Sequence, residues 1–235
     1  MKKLFYVAAL IVVAVYAWKW IHGDTSLSLV QVEFKNPYPP NSPLYPATQE
    51  FVAGVNANDK LRSRFAGTFT KRGLYSEMRT ALKRGAQSLD GPVLVGATTA
   101  LARAVPHLST PMCARMFRDS DLPDPELNEQ VSQAFGEISP THYSRLMRFY
   151  LLALQAEVSD APIKPLDEAA LHSALNNLGS QYQGEFAQRF SAAMQSRQSA
   201  SDEDLCWAGK TLLHGITLMD GSDREILSRW GIAGK

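Results

Sequence analysis

The chain lacks a charge excess of either sign: its 235 residues carry 24 Lys plus Arg against 23 Asp plus Glu, a formal net charge of +1. A domain whose main partner is nucleic acid usually carries a clear basic excess, so no nucleic-acid partner is expected. Cysteine is nearly missing, with two residues, which excludes a disulfide-dense miniature scaffold. No segment recurs at a fixed period of about 20 to 50 residues, so a solenoid is not supported. Intrinsic disorder and collagen-like repeats fall to the composition itself, which is 45% hydrophobic and 20% charged.

The common catalytic motifs are missing as well. Gly209-Lys210-Thr211 resembles the end of a phosphate-binding loop, but the first glycine of that loop should stand where Asp204 does, and a carboxylate there repels phosphate. The five histidines, His22, His107, His142, His172 and His214, form no His-Glu-x-x-His zinc pair, and there is no Cys-x-x-Cys. Neither a Gly-x-Ser-x-Gly nucleophile elbow nor a Ser-x-x-Lys pair exists. No cofactor and no metal is therefore expected.

What is present begins at the N-terminus. Lys2 and Lys3 precede fourteen uncharged residues, Leu4 to Ala17, and the apolar character resumes through Trp18, Trp20 and Ile21 around Lys19. Residues 1–21 read as a transmembrane signal anchor, with Lys19 able to snorkel and Tyr16, Trp18 and Trp20 placed as an interfacial belt. A secretory signal cleaved near Ala17 is the alternative; bulky aromatics around the cut make the uncleaved anchor the preferred reading. Positive charge stays on the cytoplasmic side, so the rest of the chain is delivered across the inner membrane, which in a bacterium means the periplasm. Cys113 and Cys206 are then expected to form one disulfide, the competing reading being two buried free thiols.

Residues 22–47 read as an extended linker, because Pro37, Pro39, Pro40, Pro43 and Pro46 crowd it into a stiff spacer. From residue 48 to 235 the pattern is helical. Pro92, Pro111, Pro125 and Pro140 follow Gly91, Thr110, Asp124 and Ser139, as the first residue of a helix follows its cap. Tyr143, Leu146, Met147, Tyr150, Leu151, Leu154 and Val158 lay a stripe along one helix, and Tyr182, Phe186, Phe190 and Met194 along another. Ser201 with Asp204 and Ser222 with Glu225 read as capping boxes. The expectation is a single all-α domain of eight or nine helices, built as an extracytoplasmic bundle.

The neutral total conceals a division. Met1 to Arg118 carries 15 basic and 6 acidic residues, while Asp119 to Lys235 carries 9 basic and 17 acidic. The excess is concentrated in Lys60, Arg62, Arg64, Lys71, Arg72, Arg79, Lys83 and Arg84, with Glu77 as the one acid among them. That stretch is a solvated face, a surface docked on the acidic half of the same chain, a surface for anionic lipid headgroups, or a surface for an acidic protein partner.

For catalysis, three residues are candidates. Glu137 precedes the helix start at Pro140, where a helix-end glutamate in a hydrophobic setting could act as the general acid of a peptidoglycan glycosidase. Glu168 and His172 lie one turn apart. The leading expectation is nevertheless non-enzymatic: a membrane-anchored interaction module of the cell envelope, either an assembly component or a tethered inhibitor or immunity-type binder. The hydrolase using Glu137 is the alternative.

Overall fold

The computed structural model describes residues 33–66, 71–118 and 125–233, apart from the side chains of residues 71–75, 125 and 128. The expected anchor and the linker as far as residue 32 lie outside the described residues. Among the described residues no helix is long and apolar enough to cross a membrane.

Eleven α-helices and no strand make up the described chain. They are α1 (Tyr45–Asn56), α2 (Asp59–Ala66), α3 (Lys71–Ala86), α4 (Gly91–Ala104), α5 (Thr110–Phe117), α6 (Pro125–Gly136), α7 (Pro140–Val158), α8 (Glu168–Ser180), α9 (Gly184–Gln195), α10 (Asp202–Leu218) and α11 (Gly221–Ile232), with a 3-10 turn, Val105–His107, after α4. The all-helical class matches the sequence pattern, whereas the helix number exceeds the eight or nine expected. Part of the excess lies at the start of the domain, where two short helices, α1 and α2, follow one another with two residues between them. The Asn58 side chain accepts from the Leu61 amide there, which starts α2 afresh after α1 has ended.

Two helices organise the rest. The longest, α7, begins behind Ser139, whose hydroxyl accepts from the His142 amide, and buries Tyr143, Leu146, Met147, Phe149, Tyr150, Ala153 and Leu154. It carries α1, α2 and α3 along its length and α4 beside them. In turn α4 packs on α10 and α11 as well as on α7. Its small residues explain this: Gly96, Ala97, Thr98, Ala100 and Ala104 are all buried, so backbones approach it from several sides. Outermost lie α5 and α9 against α10, and α8 against α11. One continuous core runs from Phe34 to Ala233.

Cys113 of α5 and Cys206 of α10 are joined, with Cα atoms 5.2 Å apart, and both are buried. The bond fastens two helices that already share an interface, and the pair that the sequence suggested is thereby formed.

Residues 33–44, expected as part of a spacer, lie docked on the domain. Phe34 is buried edge-on to Phe65, and its amide and carbonyl pair with the Asn56 side chain at 2.9 and 2.8 Å. Tyr38 meets Tyr143 edge-on, and turns at Pro39 and Ser42 lead into α1, whose start at Tyr45 precedes the expected helical boundary. The prolines permit this because each stands in a turn or at the first helical turn, while the aromatic side chains between them gain burial.

The helix starts at Pro92 and Pro111 move by one residue, with Asp90 and Ser109 preceding the helices in place of Gly91 and Thr110. The Ser201 N-cap forms: its hydroxyl accepts from the Asp204 amide at 3.1 Å and donates to the Asp204 carboxylate at 2.8 Å. The Ser222 box does not, because α11 begins at Gly221 and Glu225 lies against Gly91 at the start of α4. A carboxylate gains there from the amide-rich end of α4.

Candidate functional site

The basic stretch divides once it is folded. Arg62 pairs with Asp59 of its own helix. Arg64 reaches Glu157 of α7 at 3.0 Å and Glu77 of α3 at 3.5 Å, and Arg84 reaches the same Glu157 at 3.6 Å. Lys60 is exposed, and the side chains of Lys71 and Arg72 lie outside the described residues. Arg79, Lys83 and Arg84 form one wall of a groove of about 830 Å³, with Glu157, Asp160 and the exposed Ile163 opposite. Its charges are mixed. Across the molecule, Arg115 with Glu126 and Arg118 with Asp202 continue the same theme, a cation of the first half meeting an acid of the second. Much of the bipolar charge is thus spent on joining the halves.

Glu157 is the centre of that arrangement, its side chain only 13% exposed and shared by two arginines. Replacing it by Gln leaves the partly buried Arg64 with a weaker acceptor, and a loss of about 1 to 2 kcal/mol in a urea titration is expected. Asp59→Asn, at a pair whose acid is 85% exposed, should cost far less. Equal losses for the two variants would show that burial of Glu157 contributes nothing.

The catalytic candidates are not assembled. Glu137 stands exposed in the link between α6 and α7, without the hydrophobic setting that a glycosidase acid requires, and it does not line the groove beside Glu157. Glu168 and His172 share the solvent face of α8, both exposed. Among the described residues no group of three or more His, Cys, Asp or Glu could hold a metal ion.

A second groove, of about 590 Å³, was not anticipated. The first turn of α4 supplies Pro92 and Val93, followed by Val95 and Gly96; α7 supplies Arg145 and Arg148; and α11 with its preceding residue supplies Arg224, Asp220 and Glu225. The Arg145 stem lies over Gly96 of α4, where a Cβ would meet its Cβ at 3.5 Å, an ordinary van der Waals contact. The charged groups differ in how far they are committed. Arg224 donates to the Met219 carbonyl and lies 3.7 Å from Asp220. Glu225 lies against Gly91 and attracts Arg229. Arg145 and Arg148 are exposed and have no ion pair or hydrogen bond with any described residue, unlike Arg62, Arg64, Arg84, Arg115, Arg118, Arg189 and Arg229.

One of these arginines, Arg145, acts on a neighbour. His142, at the first turn of α7, has a buried Nδ1 with no partner, and burial followed by Arg145 of its own helix and Arg103 of α4 holds its pKa below the ordinary 6.5. The folded chain therefore takes up this proton less readily than the unfolded one. The sign follows by linkage: stability is unaffected above the unfolded pKa and is lost as pH falls from about 6.5 through the lower folded value. Denaturant midpoints at pH 7.5 and 5 should differ more for the native chain than for His142→Gln, and parallel profiles would remove His142 from the account.

Comparisons with protein-family models, with curated proteins and with solved structures find no match to this chain.

Proposed function

We propose that the chain is a membrane-tethered extracytoplasmic interaction module without catalytic activity, serving either as a component of an envelope assembly or as a tethered inhibitor or immunity-type binder. The observation that carries this reading is the second groove, where Arg145 and Arg148 stand unpaired beside the apolar surface of Pro92, Val93 and Val95. Solvated guanidiniums cost the fold little, but their potential is left available to another molecule, and complementary charge serves association rate and specificity. The buried Cys113–Cys206 bond supports an oxidising compartment, where such bonds persist. The apolar run of residues 4–21 behind two lysines supports the tether.

The test is made on the tagged full-length chain at its native level. The domain should be digested by protease added to spheroplasts and spared in intact cells, and a stoichiometric protein should accompany the chain out of native membranes in non-ionic detergent. Recovery of the chain in the cytosol, or its isolation alone after mild crosslinking, would overturn the reading. So would peptidoglycan clearing by the purified chain that disappears with Glu137→Gln.

A further inference from the structure

We infer that the groove between α4, α7 and the start of α11 is the docking surface for an acidic, partly apolar helical segment of a protein partner, with Arg145 and Arg148 receiving two of its carboxylates. The inference rests on the interaction-module reading and adds the place and the chemistry of the contact.

The spacing comes first. Arg145 and Arg148 are three residues apart on one helix, so their Cβ atoms are separated by about 5 to 6 Å. Carboxylates three or four residues apart on a partner helix have the same separation, and a planar guanidinium donates two parallel hydrogen bonds to a carboxylate. The groove contains no lysine, so its free cations are both of the fork-shaped kind. Pro92, Val93 and Val95 lie beside them and offer apolar side chains of the same segment a place to lose water.

The charge balance decides against denser anions. Asp220 and Glu225 also border the groove, and the Arg224 guanidinium is already held by the Met219 carbonyl and Asp220. Two free cations between two acids are too few to hold a polyphosphate chain or an anionic membrane surface against salt, since such binding rests on many phosphate contacts. A segment bearing two carboxylates at the right interval meets the arginines and can keep its uncharged face towards the acids. Arg103 adds to the positive field of Arg145 where α4 and α7 meet, and both act on His142.

The experiment uses the full-length chain in non-ionic detergent and three probes. The first is a fluorescein-labelled fourteen-residue helical peptide built from Glu-Ala-Leu-Glu units; the second is the same peptide with Gln for Glu; the third is vesicles of phosphatidylglycerol and phosphatidylcholine. Saturable binding of the first peptide is expected, at least 10-fold weaker for the Gln peptide and for the Arg145→Gln/Arg148→Gln chain. Arg84→Gln, in the other groove, should leave binding unchanged. The imidazole of His142, followed by NMR, should titrate at higher pH when the acidic peptide is bound, a change that a contact elsewhere would not cause. A melting midpoint equal to that of the native chain shows that the double variant is folded, and Arg145→Lys/Arg148→Lys, with the charge kept, provides a second reading of the same contact.

No saturable binding of the acidic peptide, equal binding by the double Gln variant, or binding to the vesicles alone would overturn the inference. A partner that leaves native membranes equally well with the native chain and the double Gln variant would also sink this groove while leaving the interaction-module reading intact. Absence of any partner for either chain would remove that broader reading.

Discussion

Reducing the bond between Cys113 and Cys206 should lower the thermal midpoint of the chain by about 10 °C, corresponding to a loss of about 4 kcal/mol. The size follows from the sequence separation of 93 residues, because cross-linking so long a loop removes much of the freedom of the unfolded chain. The two helices also share an extensive interface, so the domain stays folded when the bond is reduced. The measurement is a circular-dichroism melt with and without reductant, alongside the Cys113→Ala/Cys206→Ala chain under non-reducing conditions. Both should shift in the same direction, with the substituted chain somewhat lower because both sulfurs are buried and their removal leaves small cavities. A midpoint indifferent to reductant would mean either that the bond adds nothing to stability or that it does not exist in solution, and thiol labelling without reduction separates these outcomes.

Gly85→Ala should be as damaging for the opposite reason, an atom too many. Gly85 lies in α3 where that helix crosses α7, and a Cβ there would stand 1.7 Å from the carbonyl oxygen of Ala153. The obstacle is backbone, so no rotamer change relieves it and the two helices have to separate. Alanine favours the helical state over glycine by about 1 kcal/mol, but overpacking typically costs about 1 to 3 kcal/mol, and more where main chain is displaced. A net loss of about 3 kcal/mol is expected, read from the urea midpoint. Gly136→Ala is the control, since a Cβ at the end of α6 meets nothing within 4 Å. It should leave stability unchanged or slightly raised, and similar behaviour of the two variants would contradict the close crossing of α3 and α7.

The sequence announces some of these features and is silent on others for physical reasons. The α7 stripe and the Ser201 cap are legible because each depends on residues within one or two turns. The cysteine pair is legible from the count of two, although its two partners are remote in sequence. The docked segment from Phe34 to Leu44 is not, because prolines signal the loss of regular hydrogen bonding and carry no information about where neighbouring aromatics are buried. The close contact at Gly85 is equally hidden, since a glycine in a helical pattern reads the same whether it faces solvent or another backbone. Charge repeats the lesson. The eight basic residues between Lys60 and Arg84 stand out by density, yet Arg62, Arg64 and Arg84 pair within the chain. Arg145 and Arg148 sit at ordinary polar positions of an amphipathic helix and acquire their setting only when α4 and α11 are brought alongside.

The covalent link between α5 and α10 has a mechanical side. Cys113 and Cys206 enclose α6, α7, α8 and α9 in a covalent loop, so tension applied between the two ends of the chain bypasses those helices along the sulfur bridge. Pulled apart, the oxidised chain should extend by about 30 nm less than the reduced one, the contour length of the 93 residues by which the cysteines are separated. The docked residues 33–44 lie outside that loop on the side of the N-terminus, so a tug from that end falls first on the Phe34 and Asn56 contacts, while Arg145 and Arg148 ride inside the protected segment. Load applied from the N-terminal side can therefore strip residues 33–44 from the domain while the helices inside the loop stay folded.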